Sequence, residues 1–496
     1  MTQALRWLVG LYGLLFALLG LAGWAAPERL AERLGLATLT TAGLASLRAD
    51  LGGLFVGLAV LCLAGAILRR RGLLAAALIV LAAILAGRLL GVVADGGLAE
   101  TAASLAVEAS AVAVLALALR ALRPADETPR PRRRALVLAG AGLLAVALGV
   151  GTAASVPAVQ QHAFEAAARR QIGRSNAALL NDDALRVAVC GSSAPLPSPD
   201  RAKACVAVFA GGKIYVVDVG PESVERLMQW GVPLSQVAGV LITHFHSDHI
   251  GDLGELNLQT WAQGRPAPLP VYGGPGVEQV VAGFNQAYRL DQGYRTAHHG
   301  EANMPAATWA LVPRPVALPG PATPAKGRTG LVLKDGDLTI TAIEVEHAPI
   351  EPAYAYRFDY KGRSVVITGD TRAHAPLIAA SRGADLMLSE ALARPMIETL
   401  EQASAEAGRP RVSAIMHDIQ SYHVSPAEAA DIADAAGVRL LVLYHLLPAP
   451  DNALARRVFV RDLDRARDGA WRLADDGSLY TLPLGSTQVR VGRVPR

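Results

Sequence analysis

Residues 243–252 read Thr243-His244-Phe245-His246-Ser247-Asp248-His249-Ile250-Gly251-Asp252, and they follow the apolar run 237–242. The apolar run is long enough for one buried strand. Three imidazoles and one carboxylate close together in sequence suit a borderline-soft cation such as Zn²⁺. His244 and His246 are two positions apart, so on an extended segment they point to the same side. Asp248 and His249 follow where the chain turns, so the stretch predicts a site for two neighbouring metal ions.

Further along the chain, three more potential ligands stand at the ends of strand-like segments. His347 closes the alternating segment 338–347, Asp370 follows the predicted hairpin 354–368, and His445 follows the apolar segment 438–444. Together with the run His244-x-His246-x-Asp248-His249, this order resembles the metallo-β-lactamase-fold hydrolases. The resemblance implies an α/β domain of four layers, αββα, over residues 185–496.

Seven residues receive metal-binding roles from this resemblance. The first metal would be held by His244, His246 and His347. The second metal would be held by Asp248, His249 and His445. Asp370 would bridge both. Two Zn²⁺ ions are the expected cofactors, and Mn²⁺ or Fe would fit the same nitrogen and oxygen donors.

Two later segments resemble the ribonuclease Z and arylsulfatase-like phosphodiesterase branch of that fold. They are residues 385–391, which contain Glu390, and residues 422–430, which contain His423. By the resemblance, Glu390 orients His423, and His423 protonates the leaving oxygen as a general acid. The chain departs from ribonuclease Z at Ser389, where that enzyme has a histidine, and it has no basic, glycine-rich insertion like the projecting arm that grips tRNA.

The N-terminal third predicts an α-helical membrane bundle. The chain has 496 residues, too many for one ordinary domain, and 52% of them are hydrophobic. Five apolar runs are long enough to span a bilayer: 7–26, 51–68, 72–94, 101–119 and 135–160. We therefore expect a four-span domain at 1–122, a basic linker and fifth span at 123–160, a partly helical stalk at 161–184, and the hydrolase domain from residue 185.

Arginine clusters predict the orientation of the spans. Arg69, Arg70 and Arg71 follow the second run, and six arginines lie between the fourth and fifth runs. Because positive loops stay in the cytoplasm, the hydrolase domain is expected outside it, on a multi-pass protein of a bacterial-type inner (plasma) membrane. Within the third and fourth runs, Arg88 and Glu108 are expected to form an ion pair.

Cys190 and Cys205 lie near a predicted hairpin. Outside the cytoplasm they would form a disulfide, and two buried free thiols are the alternative. The sequence leaves this choice open.

The sequence thus predicts a membrane-anchored hydrolase that cleaves a phosphodiester or a sulfate ester by attack of a metal-bridging hydroxide, with Asp248, His423 and Glu390 as its catalytic residues. The expected partners are a small-molecule ester and the lipid bilayer. No nucleic acid is expected, because the net charge is only +4 and the arginines cluster beside apolar runs. A dimer is one option for the oligomeric state. The alternatives are a lactonase or β-lactamase, a ribonuclease Z-like nuclease, and a membrane transport or sensor protein with an accessory hydrolase domain.

Overall fold

The computed structural model of the chain describes residues 2–27, 30, 47–95, 98–122, 157–173, 175–320, 327–467 and 469–495. The chain divides into two compact units, Met1–Ala167 and Ala168–Arg496. Each unit has its own apolar core.

The N-terminal unit consists of long apolar helices. Its apolar helices are α1 (Gln3–Ala25), α2 (Gly53–Leu68, preceded by the π-helical turn Leu47–Gly52), α3 (Arg71–Asp95) and α4 (Leu98–Ala121). A more polar helix, α5 (Pro157–Ile172), begins in this unit and ends in the second one. Four segments are long and apolar enough to cross a bilayer: Gln3–Ala25, Leu47–Leu68, Arg71–Leu90 and Thr101–Ala121. These segments cover the first four predicted runs. Most of the fifth run, and the arginine-rich linker before it, lie outside the described residues.

The predicted ion pair between the third and fourth runs is confirmed. Arg88 Nη2 lies 2.7 Å from Glu108 Oε1, and Arg88 Nε lies 2.9 Å from both carboxylate oxygens. A second polar contact joins α1 to α4, where the Tyr12 hydroxyl donates to Ser110 Oγ at 2.8 Å. The described part of the bundle therefore satisfies these polar groups by pairing them between helices.

The second unit is built on two β-sheets. The first sheet has the strand order β15-β14-β1-β2-β3-β4-β5-β6, and the second has the order β13-β12-β11-β10-β9-β8-β7. The strands of the first half of the unit are β1 (Ala184–Gly191), β2 (Cys205–Ala210), β3 (Lys213–Val217), β4 (Val237–Leu241), β5 (Leu269–Gly273), β6 (Leu311–Pro315) and β7 (Thr329–Asp335). The strands of the second half are β8 (Leu338–Glu344), β9 (Tyr354–Tyr360), β10 (Arg363–Ile367), β11 (Leu386–Leu392), β12 (Leu440–Leu447), β13 (Ala470–Leu473), β14 (Ser478–Pro483) and β15 (Arg490–Arg493).

Helices connect these strands and cover the outer faces of both sheets. They are α6 (Ser223–Gln229), α7 (Ser247–Ile250), α8 (Leu253–Ala262), α9 (Val277–Ala287), α10 (Arg289–His299), α11 (Ala375–Ala380), α12 (Arg394–Glu406), α13 (Pro410–Asp418), α14 (Pro426–Ala435), α15 (Ala453–Phe459) and α16 (Leu463–Ala466). One core lies between the sheets, where Val187, Val208 and Tyr356 are buried together. Two further cores lie between each sheet and its outer helices. The result is the expected two-sheet α/β sandwich.

The central strands carry almost uninterrupted apolar runs because both of their faces are covered. All eight residues of β12 and all seven of β11 are buried. Parallel strands covered on both sides have this composition. The strands β10, β11 and β12 pair in parallel, so their carboxyl ends meet at one edge of the sheet.

Cys190 and Cys205 form a disulfide across the antiparallel pair β1–β2, with their Cα atoms 4.9 Å apart. Of the two alternatives that the sequence left open, a disulfide or two buried free thiols, the structure contains the disulfide.

Five predictions of local structure from the sequence pattern are wrong in detail. The pattern predicts one helix over residues 164–180, but α5 ends at Ile172 and a short 3₁₀ turn, Ala177–Leu180, follows. It predicts one helix over residues 276–290, which the structure divides between α9 and α10. It predicts a surface loop over residues 313–326, but residues 313–315 belong to strand β6. Finally, β8 stops at Glu344, so His347 lies in the following loop, and β12 continues two residues past His445.

Candidate metal centre

The first four predicted ligands lie at the carboxyl end of β4. The strand ends at Leu241, residues 242–246 form a loop, and the short helix α7 then carries Asp248 and His249. Asp248 and His249 are buried, although both are polar. Buried polar groups of this kind require partners, and these partners include the other predicted ligands.

The described residues contain two groups of side chains that would hold a metal ion. The first group is His244, His246, His347 and Asp370. The second group is Asp248, His249 and His445. Within each group, one ligand atom from every residue lies within 4.8 Å of all the others. The structure thus brings all seven predicted ligands together, in the two sets that the resemblance implies.

Asp370 lies between the two groups. Its Oδ2 atom is 3.9 Å from Nε2 of both His244 and His347, which belong to the first group. Its Oδ1 atom is 3.5 Å from His249 Nε2 and 3.4 Å from His445 Nδ1, which belong to the second group. One carboxylate therefore directs one oxygen to each group, as a bridging ligand would.

His445 is placed by a β-bulge and not by the end of a strand. In the parallel pair β11–β12, Ser389 is opposite Leu443 and Ala391 is opposite Leu446, so Glu390 alone faces both Tyr444 and His445. The extra residue turns the backbone of His445 into the left-handed region, with φ of 45°. Bulges often redirect a side chain next to an active site. Here the bulge brings His445 and Glu390 to the same edge of the sheet.

Ring nitrogens in the two groups approach one another as nitrogens on a shared ion do. His244 Nε2 is 3.0 Å from His246 Nδ1, and His249 Nε2 is 3.2 Å from His445 Nε2. Two nitrogens on one tetrahedral Zn²⁺ would be separated by about 3.3 Å. Three buried atoms among these ligands also have no hydrogen-bond partner within the described structure: His347 Nε2, Asp370 Oδ1 and His445 Nδ1. The residues present therefore fit a divalent metal centre.

The electrostatics of the site favour neutral imidazoles in the first group. Burial holds the pKa of His244 well below its ordinary value, and burial lowers the pKa of His347 to about 4. Metal ions bind the neutral form of histidine. Burial alone would raise the pKa of Asp370, but the neighbouring His445 and His249 hold it well below its ordinary value. The bridging position is therefore occupied by a carboxylate anion.

One functional residue that the sequence reasoning missed is Asp218, directly after β3. Its Oδ2 atom lies 2.8 Å from His249 Nδ1 and accepts from the Thr243 hydroxyl at 2.9 Å, and its Oδ1 atom accepts from the Thr243 backbone N–H at 2.8 Å. A carboxylate on the far nitrogen of a metal-binding histidine fixes the orientation of its ring. The available signal was an acidic residue that immediately follows a buried strand next to the histidine-rich stretch.

Glu390 and His423 form the pair that the resemblance implies. His423 Nδ1 lies 2.9 Å and 3.0 Å from the two carboxylate oxygens of Glu390, and 3.9 Å from Asp370 Oδ2. The backbone N–H groups of Thr371 and Val424 donate to the same carboxylate. Burial alone would lower the pKa of His423, but the charge of Glu390 and its hydrogen bond raise it above the ordinary value. The Nδ1 side of the His423 ring is therefore engaged by Glu390, which favours the protonated imidazole.

The loop that carries His423 is anchored by the start of α14. Ser425 accepts from the backbone N–H of Glu428, and the Glu428 side chain accepts from the backbone N–H of Ser425. This reciprocal capping fixes the first turn of the helix. These hydrogen bonds therefore fix the backbone at Ser425, two residues after His423.

Three other histidines and a buried arginine lie outside the described metal groups. His298 and His299 are exposed in the last turn of α10. His417 is exposed and pairs with Glu401 at 3.1 Å. Arg201 is buried and binds Asp475, Ser192 Oγ and the carbonyl of Ala474. These contacts are structural.

A cleft of about 980 Å³ lies beside the first metal group. His347 forms part of its wall, together with the segments 316–318 and 327–328, Glu344 at the end of β8, and other residues of the loop 345–353. The cleft gives a substrate room next to the predicted metal ligands.

Residues 215–446 match the model of the β-lactamase superfamily domain. The chain is 34% identical to the ribonuclease Z of Mycolicibacterium paratuberculosis over 269 residues, which are 53% of this chain and 87% of that protein. It is 33% identical to the ribonuclease Z of Mycobacterium bovis, with the same coverage. Among solved structures, human tRNase Z, short form, is 21% identical and has a TM-score of 0.42, with 60% of this chain and 99% of that chain covered.

These relatives correct one expectation from the sequence. No nucleic acid partner was expected, and this is wrong for the family, because ribonuclease Z by its name acts on RNA. The expectation was based on overall charge and on the lack of a projecting arm. Neither feature describes the contacts that a catalytic cleft makes with a phosphodiester. The agreement of the fold, the ligand pattern and the coverage leads to one conclusion: the chain belongs to the β-lactamase superfamily, in the family of the ribonucleases Z.

Proposed function

We propose that this protein is a metal-dependent phosphodiesterase that cleaves phosphodiester bonds in RNA. The observation that supports this proposal most directly is the Glu390–His423 pair, 2.9 Å from nitrogen to oxygen, beside Asp370. Hydrolysis of a ribose phosphodiester expels an alkoxide, which needs a proton as it leaves. Hydrolysis of a lactone or a β-lactam at two metal ions does not need a separate buried acid of this kind.

The chain's own residues have distinct roles in the proposed reaction. The seven ligands would hold two divalent ions, which supply an activated water and polarise the phosphate oxygens. Asp248 belongs to the second group and lies 3.2 Å from His445 Nε2. Glu390 keeps His423 protonated and holds its ring, and His423 donates its proton from Nε2 to the leaving oxygen.

We also propose that the protein is anchored in a membrane, with the hydrolase unit outside the cytoplasm. Four helices have the necessary length and apolar character. Large apolar side chains on these helices are exposed, for example Leu11, Leu18 and Ile79 at 62%, 67% and 69%. The Cys190–Cys205 disulfide supports an oxidising compartment. The hydrolase unit would then bind its RNA substrate on the outer side of the membrane.

The test uses the full chain, purified in detergent and supplied with Zn²⁺. A short single-stranded RNA and bis(p-nitrophenyl) phosphate are compared with p-nitrophenyl sulfate, a lactone and a cephalosporin. We expect hydrolysis of both phosphodiesters. Turnover of only the sulfate, the lactone or the cephalosporin would overturn the proposal.

Variants distinguish the role of a metal ligand from the role of His423 in catalysis. Asp248→Ala should abolish turnover of both phosphodiesters. His423→Ala should slow RNA cleavage by about 10²–10⁴-fold, the usual contribution of a general acid. It should slow bis(p-nitrophenyl) phosphate much less, because p-nitrophenolate leaves without a proton. An equal loss on both substrates would contradict the assigned role, and His298→Ala, which changes an exposed histidine, is the matched control.

A further inference from the structure

A groove of about 390 Å³ lies between α1 and the last turns of α2 in the helical unit. Leu63, Ala66 and Ile67 form its α2 side, and its α1 side extends from Gln3 to Leu14. Because α1 begins and α2 ends here, the groove lies at the end of the bundle that carries the three arginines at 69–71. The positive-inside rule predicts that this end faces the cytoplasm.

The groove begins where the close packing of α1 on α2 ends. At Gly13 and Gly20 an added Cβ atom would lie only 2.7 Å from Leu63 Cγ and 2.6 Å from Val56 Cγ2. Small residues allow helices to approach closely in this way. At Gly10, one turn nearer the end of α1, no described atom lies within 4 Å of the same position. Gly10 therefore leaves room beside the helix, and this room is part of the groove.

The side chains of the α1 wall change from polar to apolar along the groove. Gln3 and Arg6 lie nearest the end of the helix, and Leu11 and Leu14 lie deeper. Trp7 lies between these two pairs and is 73% exposed. Tryptophan side chains are enriched at the boundary between lipid headgroups and hydrocarbon. The order of the wall therefore matches a lipid headgroup followed by an acyl chain.

Arg6 gives the polar end of the groove a fixed positive charge. Its Nε atom donates to the carbonyl of Ala66, in the last turn of α2, at 3.2 Å. Within the described residues no carboxylate pairs with Arg6, and the segments 2–10, 62–75 and 115–122, which form this end of the bundle, contain five arginines and no acid. Basic pockets between helices on the cytoplasmic side favour anionic lipid headgroups.

We propose that this groove binds one anionic phospholipid of the cytoplasmic leaflet, with the phosphate beside Arg6 and Gln3 and one acyl chain along Gly10 and Leu14. This proposal rests on the proposed membrane anchoring and names the lipid class that the helical unit selects. A lipid fits the groove better than another apolar helix does, because the headgroup phosphate pairs with the guanidinium. An apolar helix would leave that charge unpaired, which is costly in a membrane.

The test compares two lipids that have the same acyl chains and different headgroup charges. The full chain, purified in detergent, is titrated with dioleoyl phosphatidylglycerol or with dioleoyl phosphatidylcholine, and bound lipid is counted by native mass spectrometry. We expect the first phosphatidylglycerol to bind about fivefold more tightly, which is the effect of one arginine near an anionic headgroup. Equal affinities would overturn the proposal.

Variants at Arg6 assign the preference to its charge. Arg6→Gln should bring the affinity ratio of the two lipids to about one, and Arg6→Lys, which keeps the charge, should preserve the ratio. Arg48→Gln is the matched control, because Arg48 Nε likewise donates to a carbonyl in the last turn of a helix, that of Trp24 at 3.3 Å, at the opposite end of α1. A ratio that persists in Arg6→Gln, or that Arg48→Gln removes equally, would overturn the proposal.

A variant at Gly10 tests whether the lipid lies in the groove. Gly10→Leu should fill the groove without disturbing the contact at Gly13, and it should remove the preference for phosphatidylglycerol. Gly57→Leu is the control, because Gly57 is exposed on α2, has the same room beside it and lies outside the groove. An unchanged preference in Gly10→Leu would place the lipid elsewhere and overturn the proposal.

Extraction of cell membranes with alkaline carbonate is measured in parallel. A chain that carbonate releases from the membrane would contradict the proposed anchoring, and the lipid site with it. A chain that stays in the membrane but binds both lipids equally would contradict the lipid site alone.

Discussion

Glu390 faces both Tyr444 and His445 across the bulge between β11 and β12, so the residue that orients the proton donor and a ligand of the second metal group share one irregularity of the sheet. A regular pairing would give Glu390 one opposite residue. The bulge supplies the extra residue that turns the His445 side chain towards Asp248, at 3.2 Å.

The first prediction concerns the backbone of His445, whose φ is 45°. A side chain in the left-handed region costs about 1–2 kcal/mol, and glycine avoids most of this cost. We expect metal-free His445→Gly to be more stable than His445→Ala by about 1 kcal/mol. Thermal unfolding of the two variants checks this. The same comparison at His244, which lies outside the left-handed region, should not favour glycine.

The second prediction concerns the pH profile of catalysis. The charge of Glu390 raises the pKa of His423, so the imidazole stays protonated above its ordinary pKa of 6.5. A general acid is active in its protonated form, so activity falls as pH rises through this pKa. In Glu390→Gln we expect the basic limb of the kcat profile for RNA cleavage to shift to lower pH. An unshifted limb would show that His423 does not titrate in catalysis.

The third prediction concerns Asp218, which lies 2.8 Å from His249 Nδ1. Asp218 has φ of 57°, a conformation that asparagine tolerates, so Asp218→Asn should keep the backbone. Loss of the carboxylate should weaken metal binding by about 10–100-fold, as for other residues that orient a metal-binding histidine. Zinc competition with a chromophoric chelator measures this. Asp291→Asn, on the surface helix α10, provides the control.

The fourth prediction concerns Arg88 and Glu108, 2.7 Å apart in the helical unit. Removing one partner leaves the other charge unpaired in apolar surroundings. We expect Arg88→Met and Glu108→Leu each to lower thermal stability in detergent. The double variant should recover part of the loss, with a coupling energy of about 0.5–3 kcal/mol. Strictly additive losses would show that the pair contributes no interaction energy.

The fifth prediction concerns the disulfide, which joins residues 15 positions apart. In the loop-entropy model a bridge of this length contributes about 3 kcal/mol to stability. Cys190→Ala/Cys205→Ala should therefore unfold at a lower temperature than the parent chain. Protein isolated from membranes without reductant and then denatured should resist alkylation at both cysteines until it is reduced. Immediate alkylation would argue against an oxidising compartment for the hydrolase unit.

The metal ligands were predictable because their residue types and their order are visible in the sequence. His244 to His249 form one short stretch, and His347, Asp370 and His445 each stand near the end of an apolar segment. The position of His445 inside β12 was not predictable, because a bulge depends on the register between two strands and not on either strand alone. Asp218 was missed for a similar reason, since its partner His249 lies 31 residues away.

The substrate was the least predictable part. Overall charge describes the average surface, whereas the choice of substrate depends on a few side chains around one cleft. The cleft beside His347 is assembled from segments that are distant in sequence, 316–318, 327–328 and 344–354, so no local sequence pattern predicts it.

Each of the two metal groups takes residues from both sheets. His244 and His246 follow β4 of the first sheet, and they meet His347 and Asp370, which follow β8 and β10 of the second. Asp248 and His249 likewise meet His445 of β12. An ion bound at either group would therefore link the two sheets of the sandwich. Loading the centre with metal should slow hydrogen exchange at this edge on both sheets at once, so that assembly of the catalytic site and closure of the fold become a single event.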